Sequence, residues 1–310
     1  MSRAITNLTR IGLIDEVTAG TTPATPAMQT IRATSESFSV ERQFTHSEEF
    51  NVASQVADQI LIANRATGGF GCEWADGEVG IETILQSCLC GTWATDVLLA
   101  GITPKPPSIE VKYEAGTNDQ YKIFTGMYGN ELSLDFNAGS KITGSAAFMG
   151  MSSTYAAAGV TGGTYPAFGT EPVNTTCDML LTSTGLVVDS VTKLTMKLNN
   201  SARAHQCLTS ASPSAIARGT LQLGGDIELY LNTGVADWAT KFLANSSFTL
   251  LATAGNTTIK KTTFEIPKAK FKNLTVVAQA NDQDLMVRGQ WEGFYDSTVG
   301  SALRVTRNVA

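Results

Sequence analysis

Apolar and polar residues alternate with a period of two along most of this chain, and that alternation predicts half-buried strands. It is plainest in 37–43 (SFSVERQ), 192–199 (TKLTMKLN), 219–231 (GTLQLGGDIELYL), 248–253 (FTLLAT), 269–279 (AKFKNLTVVAQ) and 285–296 (LMVRGQWEGFYD). In 219–231, Leu221, Leu223, Ile227, Leu229 and Leu231 fall on one side and Gln222, Asp226, Glu228 and Tyr230 on the other. One face is core, and the other meets water or a partner. Helical spacing predicts two helices only, over 77–93 and 233–244, each short and each following a long strand.

The plan of strand, acid, glycine turn and short helix occurs twice, in 60–89 and in 215–243, with Ile84, Cys88 and Leu89 matched to Trp238, Phe242 and Leu243. Downstream, 108–124 matches 247–264 around an AGxN turn, and 131–154 matches 273–298, a long hairpin ending in Ser-Thr both times. Ile84, Leu89, Trp238, Phe242 and Leu243 are therefore expected to pack the helices into the core. The fold class expected is mainly β, two tandem sandwich or barrel domains, each with one short helix, related by internal duplication. The boundaries follow: an N-terminal arm over 1–28, a first domain over 29–154, a long interdomain loop over 155–176 and a second domain over 177–310. An insertion over 90–108 lengthens the first domain alone.

Composition narrows the chemistry. Of 310 residues 43% are hydrophobic and 16% charged, against about 25% charged in an ordinary soluble domain, so the surface is unusually uncharged. Forty threonines fit a β-sheet protein. The net charge of -6 is uneven, with -8 on residues 1–155 and +2 on 156–310. The longest apolar stretches fall short of the roughly 20 residues of a membrane helix, and 1–16 lacks the apolar region of a secretory signal. No membrane contact is expected. Five cysteines and two histidines show no zinc-type spacing, so no metal and no cofactor are expected. The glycine-rich segments lack the lysine and the strand-to-helix setting of a phosphate loop, GxSxG is absent, and His46 and His205 lie in polar loop-like stretches. The carboxylate pairs Asp226/Glu228, Glu48/Glu49 and Asp282/Asp284 have no apolar surroundings to raise a pKa. No enzymatic role is expected. Lys268, Lys270 and Lys272 share one strand face and read as an exposed or edge-protecting strand.

The helix-after-long-strand elements at 69–89 and 224–243, the hairpin running to GQWEGFYDST and the closing strand ALRVTRN carry a resemblance that spans 29–310 in order. The chain resembles the tail tube proteins (major tail proteins) of long-tailed, non-contractile bacteriophages. The resemblance implies a structural virion subunit, assembled in the host cytoplasm, whose rings stack around a lumen that holds the tape measure protein and conducts DNA into the host. It implies tail-end proteins as further partners and, with two tube-type domains per chain, a homotrimer with pseudo-sixfold symmetry. The alternative is a surface β-sandwich adhesin or carbohydrate-binding module. Trp74, Trp238 and Trp291 fall within strands or the helix rather than in exposed loops, and no secretion signal is seen, which favours the tube.

A wall that lets DNA pass without holding it should repel phosphate. Glu73, Asp135, Asp226, Glu228 and Glu292, on the polar faces of the long strands and hairpins, are the expected acidic lumen lining. Stacking of rings is expected to draw on the 1–28 arm and the 90–108 and 155–176 loops, with charge setting the rotation of one ring on the next.

Overall fold

The computed structural model describes residues 8–50, 55–56, 58–116, 118–167, 173–255, 261–278 and 284–308. In chain order the elements are β1 (Thr9–Asp15), β2 (Gln29–Thr30), β3 (Ala33–Glu36), β4 (Ser39–His46), β5 (Gln59–Glu73), α1 (Val79–Leu89), β6 (Val97–Leu99), β7 (Pro107–Tyr113), β8 (Gln120–Thr125), β9 (Tyr128–Asn137), β10 (Thr143–Gly150) and β11 (Ser152–Ala156). The second half follows with β12 (Leu180–Thr182), β13 (Val191–Asn199), β14 (Arg203–Cys207), β15 (Ser210–Ala217), β16 (Gln222–Tyr230), α2 (Val235–Leu243), β17 (Phe248–Ala254), β18 (Lys261–Val277), β19 (Met286–Gly293) and β20 (Arg304–Asn308).

All the strand ladders are antiparallel. β4, β5, β10 and β9 are hydrogen-bonded in that order, and so are β13, β16, β19 and the second half of β18. β1, β7, β8 and β11 form a second row, matched by β12, β17, the first half of β18 and β20. The same order of pairings thus runs twice. In the first half the two rows are separate sheets because the chain turns at Gly126, whose φ of 63° suits a residue without a β-carbon. In the second half β18 runs through the corresponding position without a break, so both rows join one 13-stranded sheet. The halves meet where β9 pairs with β13, from Asn137 opposite Lys193 to Glu131 opposite Asn199. The sheets stay open, and the barrel form of the expected fold is not adopted.

Alternation decides which face is buried. Phe70, Phe148, Leu132, Leu134, Leu194, Met196, Ile227, Val287 and Trp291 lie on one side and join a single continuous apolar core. Phe38, Phe70, Phe124 and Phe148 pack together in the first half, with centroids 5.4–6.3 Å apart along the cluster. Phe271 stacks on Trp238 at 5.1 Å and touches Phe248 at 4.6 Å in the second. Phe264 packs edge-on against Trp74 and Phe136, so the core crosses the junction between the halves. The helices differ. α1 is buried on most sides, including Ile84 and Leu89, whereas α2 buries Trp238 alone, with Phe242 partly covered. Leu243 is 83% exposed, which corrects its expected place in the core; it ends a helix that no neighbouring strand covers on that side.

The expected free arm is also corrected. Within 1–28, β1 is paired with β7 along its whole length, Ile11 and Leu13 are fully buried, and Met28 is buried as well. The segment's apolar residues are few, but strand pairing brings Ile11 and Leu13 to the core, while Val17, beyond the strand, stays exposed. The 155–176 segment is not a free loop in its described part: Met28 N–H donates to Thr164, Thr164 N–H to Pro26, and Tyr165 Oη donates to buried Glu110 at 2.7 Å. Arg10 pairs with the same Glu110 and lies over the Tyr165 ring, 3.6 Å from its centroid. The 90–108 insertion supplies β6, which pairs with β20 of the second half.

Candidate functional site

The side of the large sheet opposite the core is open and polar. By alternation from buried neighbours, Glu73, Asp135, Asp226, Glu228 and Glu292 all project from this one face. One cross-strand row runs through Glu73, Thr143, Asp135, Thr195, Asp226 and Gln290 and carries three of the five acids. Small residues in the next rows (Gly69, Gly71, Ser133, Ser145 and Ala147) leave a trough of about 900 Å³ over β5, β10, β9 and β13.

The face is not purely acidic. Arg288 pairs with Glu228 at 3.0 Å, Lys272 with Glu292 at 2.7 Å, Arg65 with Glu41 at 2.7 Å, and Lys141 with Glu73. Asp135, Asp226 and Glu131 form no ion pair among the described residues; Asp226 accepts a bond from Thr195 at 3.4 Å and Glu131 one from Asn199 at 2.8 Å. Glu41 and Glu131 were not singled out in the sequence, although alternation in 131–137 puts Glu131 beside Asp135. The bases Arg65, Lys193, Lys197 and Arg288 share the face for the same reason. Lys270, opposite Glu292 on β19, and Lys272 bring the lysine-rich part of β18 to its edge.

Polar groups also fix the junction behind this face. The buried Asp76 carboxylate accepts bonds from Trp74 Nε1 at 2.9 Å, from Thr262 Oγ1 at 2.5 Å and from Asn174 Nδ2. Those donors come from the first half, the second half and the connecting segment. Buried Asn200 Nδ2 donates to the carbonyls of Cys88 (2.6 Å) and Gly129 (2.8 Å), tying the start of the second half to α1 and β9. Burial raises the Asp76 carboxyl above its ordinary range, with the three side-chain bonds acting against that rise. These contacts serve architecture: they hold two sheet segments edge to edge and present no nucleophile.

Among the described residues no group of three or more histidine, cysteine, aspartate or glutamate side chains is placed to hold a metal ion, and no helix is long and apolar enough to cross a membrane. What the surface can do is present a broad, hydrated wall of mixed charge. No curated protein matches the chain. The family model for phage tail tube protein matches residues 6–293, a span that takes in every described strand but β20 and the whole of the polar face, and the chain belongs to that family.

Proposed function

We propose that this structural tail tube subunit closes into rings of three chains, with each chain supplying two copies of one duplicated unit and the polar face turned to the lumen. The observation that carries this is the repeated ladder order, β4–β5–β10–β9 and then β13–β16–β19–β18, joined edge to edge by β9 and β13. Two units already sit side by side, and six such units close with three chains. Eight strands per chain make a wall of 24. At about 4.8 Å per strand this is roughly 115 Å around and about 37 Å across between backbones before tilt widens it. A DNA duplex or a tape measure protein fits inside. The ion pairs temper the charge of the wall, and Lys193 and Lys197 stand near the unpaired Asp135, Asp226 and Glu131, so among the described residues the wall is of balanced, mixed charge with no continuous basic track to hold phosphate.

Both long hairpins leave the sheet at the same end. The row Gly69, Ala147, Glu131, Asn199 and Gln222 is continuous across the strands, and β4–β5 and β14–β15 both extend beyond it. They carry exposed Phe44, Ile60, Leu61 and Ile62 on the first and Leu208 on the second, while exposed Tyr230, Leu231 and Leu285 lie at the opposite end. We assign ring stacking to these two apolar ends, in place of the 1–28, 90–108 and 155–176 segments. Tape measure and tail-end proteins remain the partners of the lumen and the tube termini in this reading. Native mass measurement of released rings tests it: three chains are expected, and six would overturn it.

A further inference from the structure

We propose that rings close through one specific seam, in which residues 273–277 of β18 pair with 37–41 of β3–β4 in the next copy of this chain. The inference rests on the three-chain ring proposed above and is read from the ladder already present inside the chain. Aligning the two runs by their β-bulges, at Asn130 in β9 and at Lys272 in β18, matches Glu131 to Asn273 and Asp135 to Val277. Aligning β4 with β13 through their β5 and β16 partners matches Ser39 to Lys197 and Phe38 to Met196. The β9–β13 register then transfers directly. Ser133 opposite Lys197 becomes Thr275 opposite Ser39, and Leu134 opposite Met196 becomes Val276 opposite Phe38.

Both edges look like halves of that ladder. Among the described residues nothing pairs with β18 beyond Ala269 except β19, and β4 pairs only with β5. The Phe38 carbonyl, which the transferred register directs across the seam, accepts from the Lys122 ammonium at 3.3 Å instead of from a strand. In the internal ladder Leu134 and Met196 are both buried, whereas Val276, the counterpart of Leu134, is 55% exposed. A neighbouring strand is what would cover it.

The seam differs from the internal junction in one respect. Inside the chain a second clasp exists: β6 pairs with β20 through Leu99–Arg304, Leu98–Val305 and Val97–Thr306, and Arg307 pairs with Glu82 and lies over the Trp93 ring at 4.6 Å. The corresponding stretch of the second half, between Leu243 and Phe248, is too short to make such a strand, so the outer edge of β11 stays uncovered. A three-chain ring therefore alternates double-ladder junctions with single-ladder seams.

Ser39 and Thr275 fall at a non-hydrogen-bonded pair, as Ser133 and Lys197 do beside the Asn200 N–H to Asn130 bond, and such pairs bring side chains close enough for a disulfide. With exposed Cys177 and Cys207 replaced by serine, a chain carrying Ser39→Cys and Thr275→Cys should give covalent dimers and closed trimers when assembled rings are oxidised. Val40→Cys with Thr275→Cys, which puts the two thiols on opposite faces, should give none. Ser133→Cys with Lys197→Cys should form its bond within one chain. Exchange of the Leu274 and Val276 amides should also slow by at least about 100-fold from free chain to ring. Three-chain rings that form the internal bond but no Ser39–Thr275 bond, or that leave those amides unprotected, overturn the seam. A cooperatively folded chain that forms no ring overturns the ring reading and the seam with it.

Discussion

At Gly225 a β-carbon would lie 1.9 Å from the Thr195 carbonyl oxygen and 3.0 Å from the Trp291 ring. The equivalent glycine of the first half, Gly68, opposes Phe148 with φ at 135°, and a β-carbon there would meet the Phe38 backbone at 2.5 Å. An aromatic residue facing a glycine across the strands is thus built in twice. Gly225→Ala should cost about 1–3 kcal/mol in urea unfolding through overpacking. Gly139→Ala, at φ 70° with nothing within 4 Å, should cost about 1 kcal/mol through backbone strain alone. Asp76→Ala would strand three buried donors and should lower stability by about 2–4 kcal/mol in the same measurement. Burial also raises the carboxyls of Asp15, Asp76 and Glu78. The folded chain therefore holds protons that the unfolded chain has released, and these groups add stability as pH falls from neutral through their folded pKa values toward about 4. Asp119, lowered by its bond to Lys112, and Asp296, lowered by the Val299 and Thr298 amides, act oppositely and lose their contribution only below about pH 4. The urea midpoint should accordingly not fall between pH 7 and pH 5. Thiols divide in the same way. Burial pushes Cys72 up to about 12 and raises Cys88 and Cys90, while Cys177 and Cys207 are exposed. A colorimetric thiol reagent should modify two cysteines in the folded chain and the other three only after unfolding.

Removing β1 is a test at the scale of elements. Deleting residues 9–15 takes the fully buried Ile11 and Leu13 from the small sheet and leaves β7 without a neighbour on one side. The expected result is loss of the cooperative melt in circular dichroism, rather than folded rings that fail to polymerise. The segment reads as an arm because its apolar residues form one short cluster, Ile11 to Ile14, ahead of a Thr/Pro-rich run; what buries Ile11 and Leu13 is pairing with β7, about a hundred positions away. Where one face is core and the other open, as in 219–231 and 285–296, alternation was enough to find the strands and to put the five acids on one side. Both helices were legible from their spacing, but Leu243 was not, because whether a helix face is covered depends on which strand lies over it. β6 was illegible for a related reason: three residues inside a Pro-rich insertion become a strand only because β20 offers an edge. The ion pairs across the polar face join residues on neighbouring strands, so pattern alone gave the acids without their partners.

Salt separates the contributions at the scale of the whole molecule. The exposed ion pairs of the polar face contribute about 0–1 kcal/mol each and are screened over roughly 8 Å at physiological ionic strength. The ladders and apolar ends are not screened, so tubes should persist in about 1 M salt by electron microscopy. Ile60→Asp with Leu208→Asp should give rings that melt like the parent and do not lengthen into tubes. The halves differ by charge, -8 on 1–155 against +2 on 156–310, and in the proposed stack of rings this asymmetry is expected to bias the rotation of one ring on the next more than the strength of the contact. The β9–β13 ladder has a further consequence, for how the ring comes into being. Each association of free partners forfeits translational and rotational freedom worth an estimated 4–15 kcal/mol. Six separate units would meet that loss five times before closing, whereas the three chains of the proposed ring, each with one junction already made, would meet it twice. The population of closed rings then follows the third power of subunit concentration instead of the sixth, so a tube can start to grow early, while its subunit is still scarce.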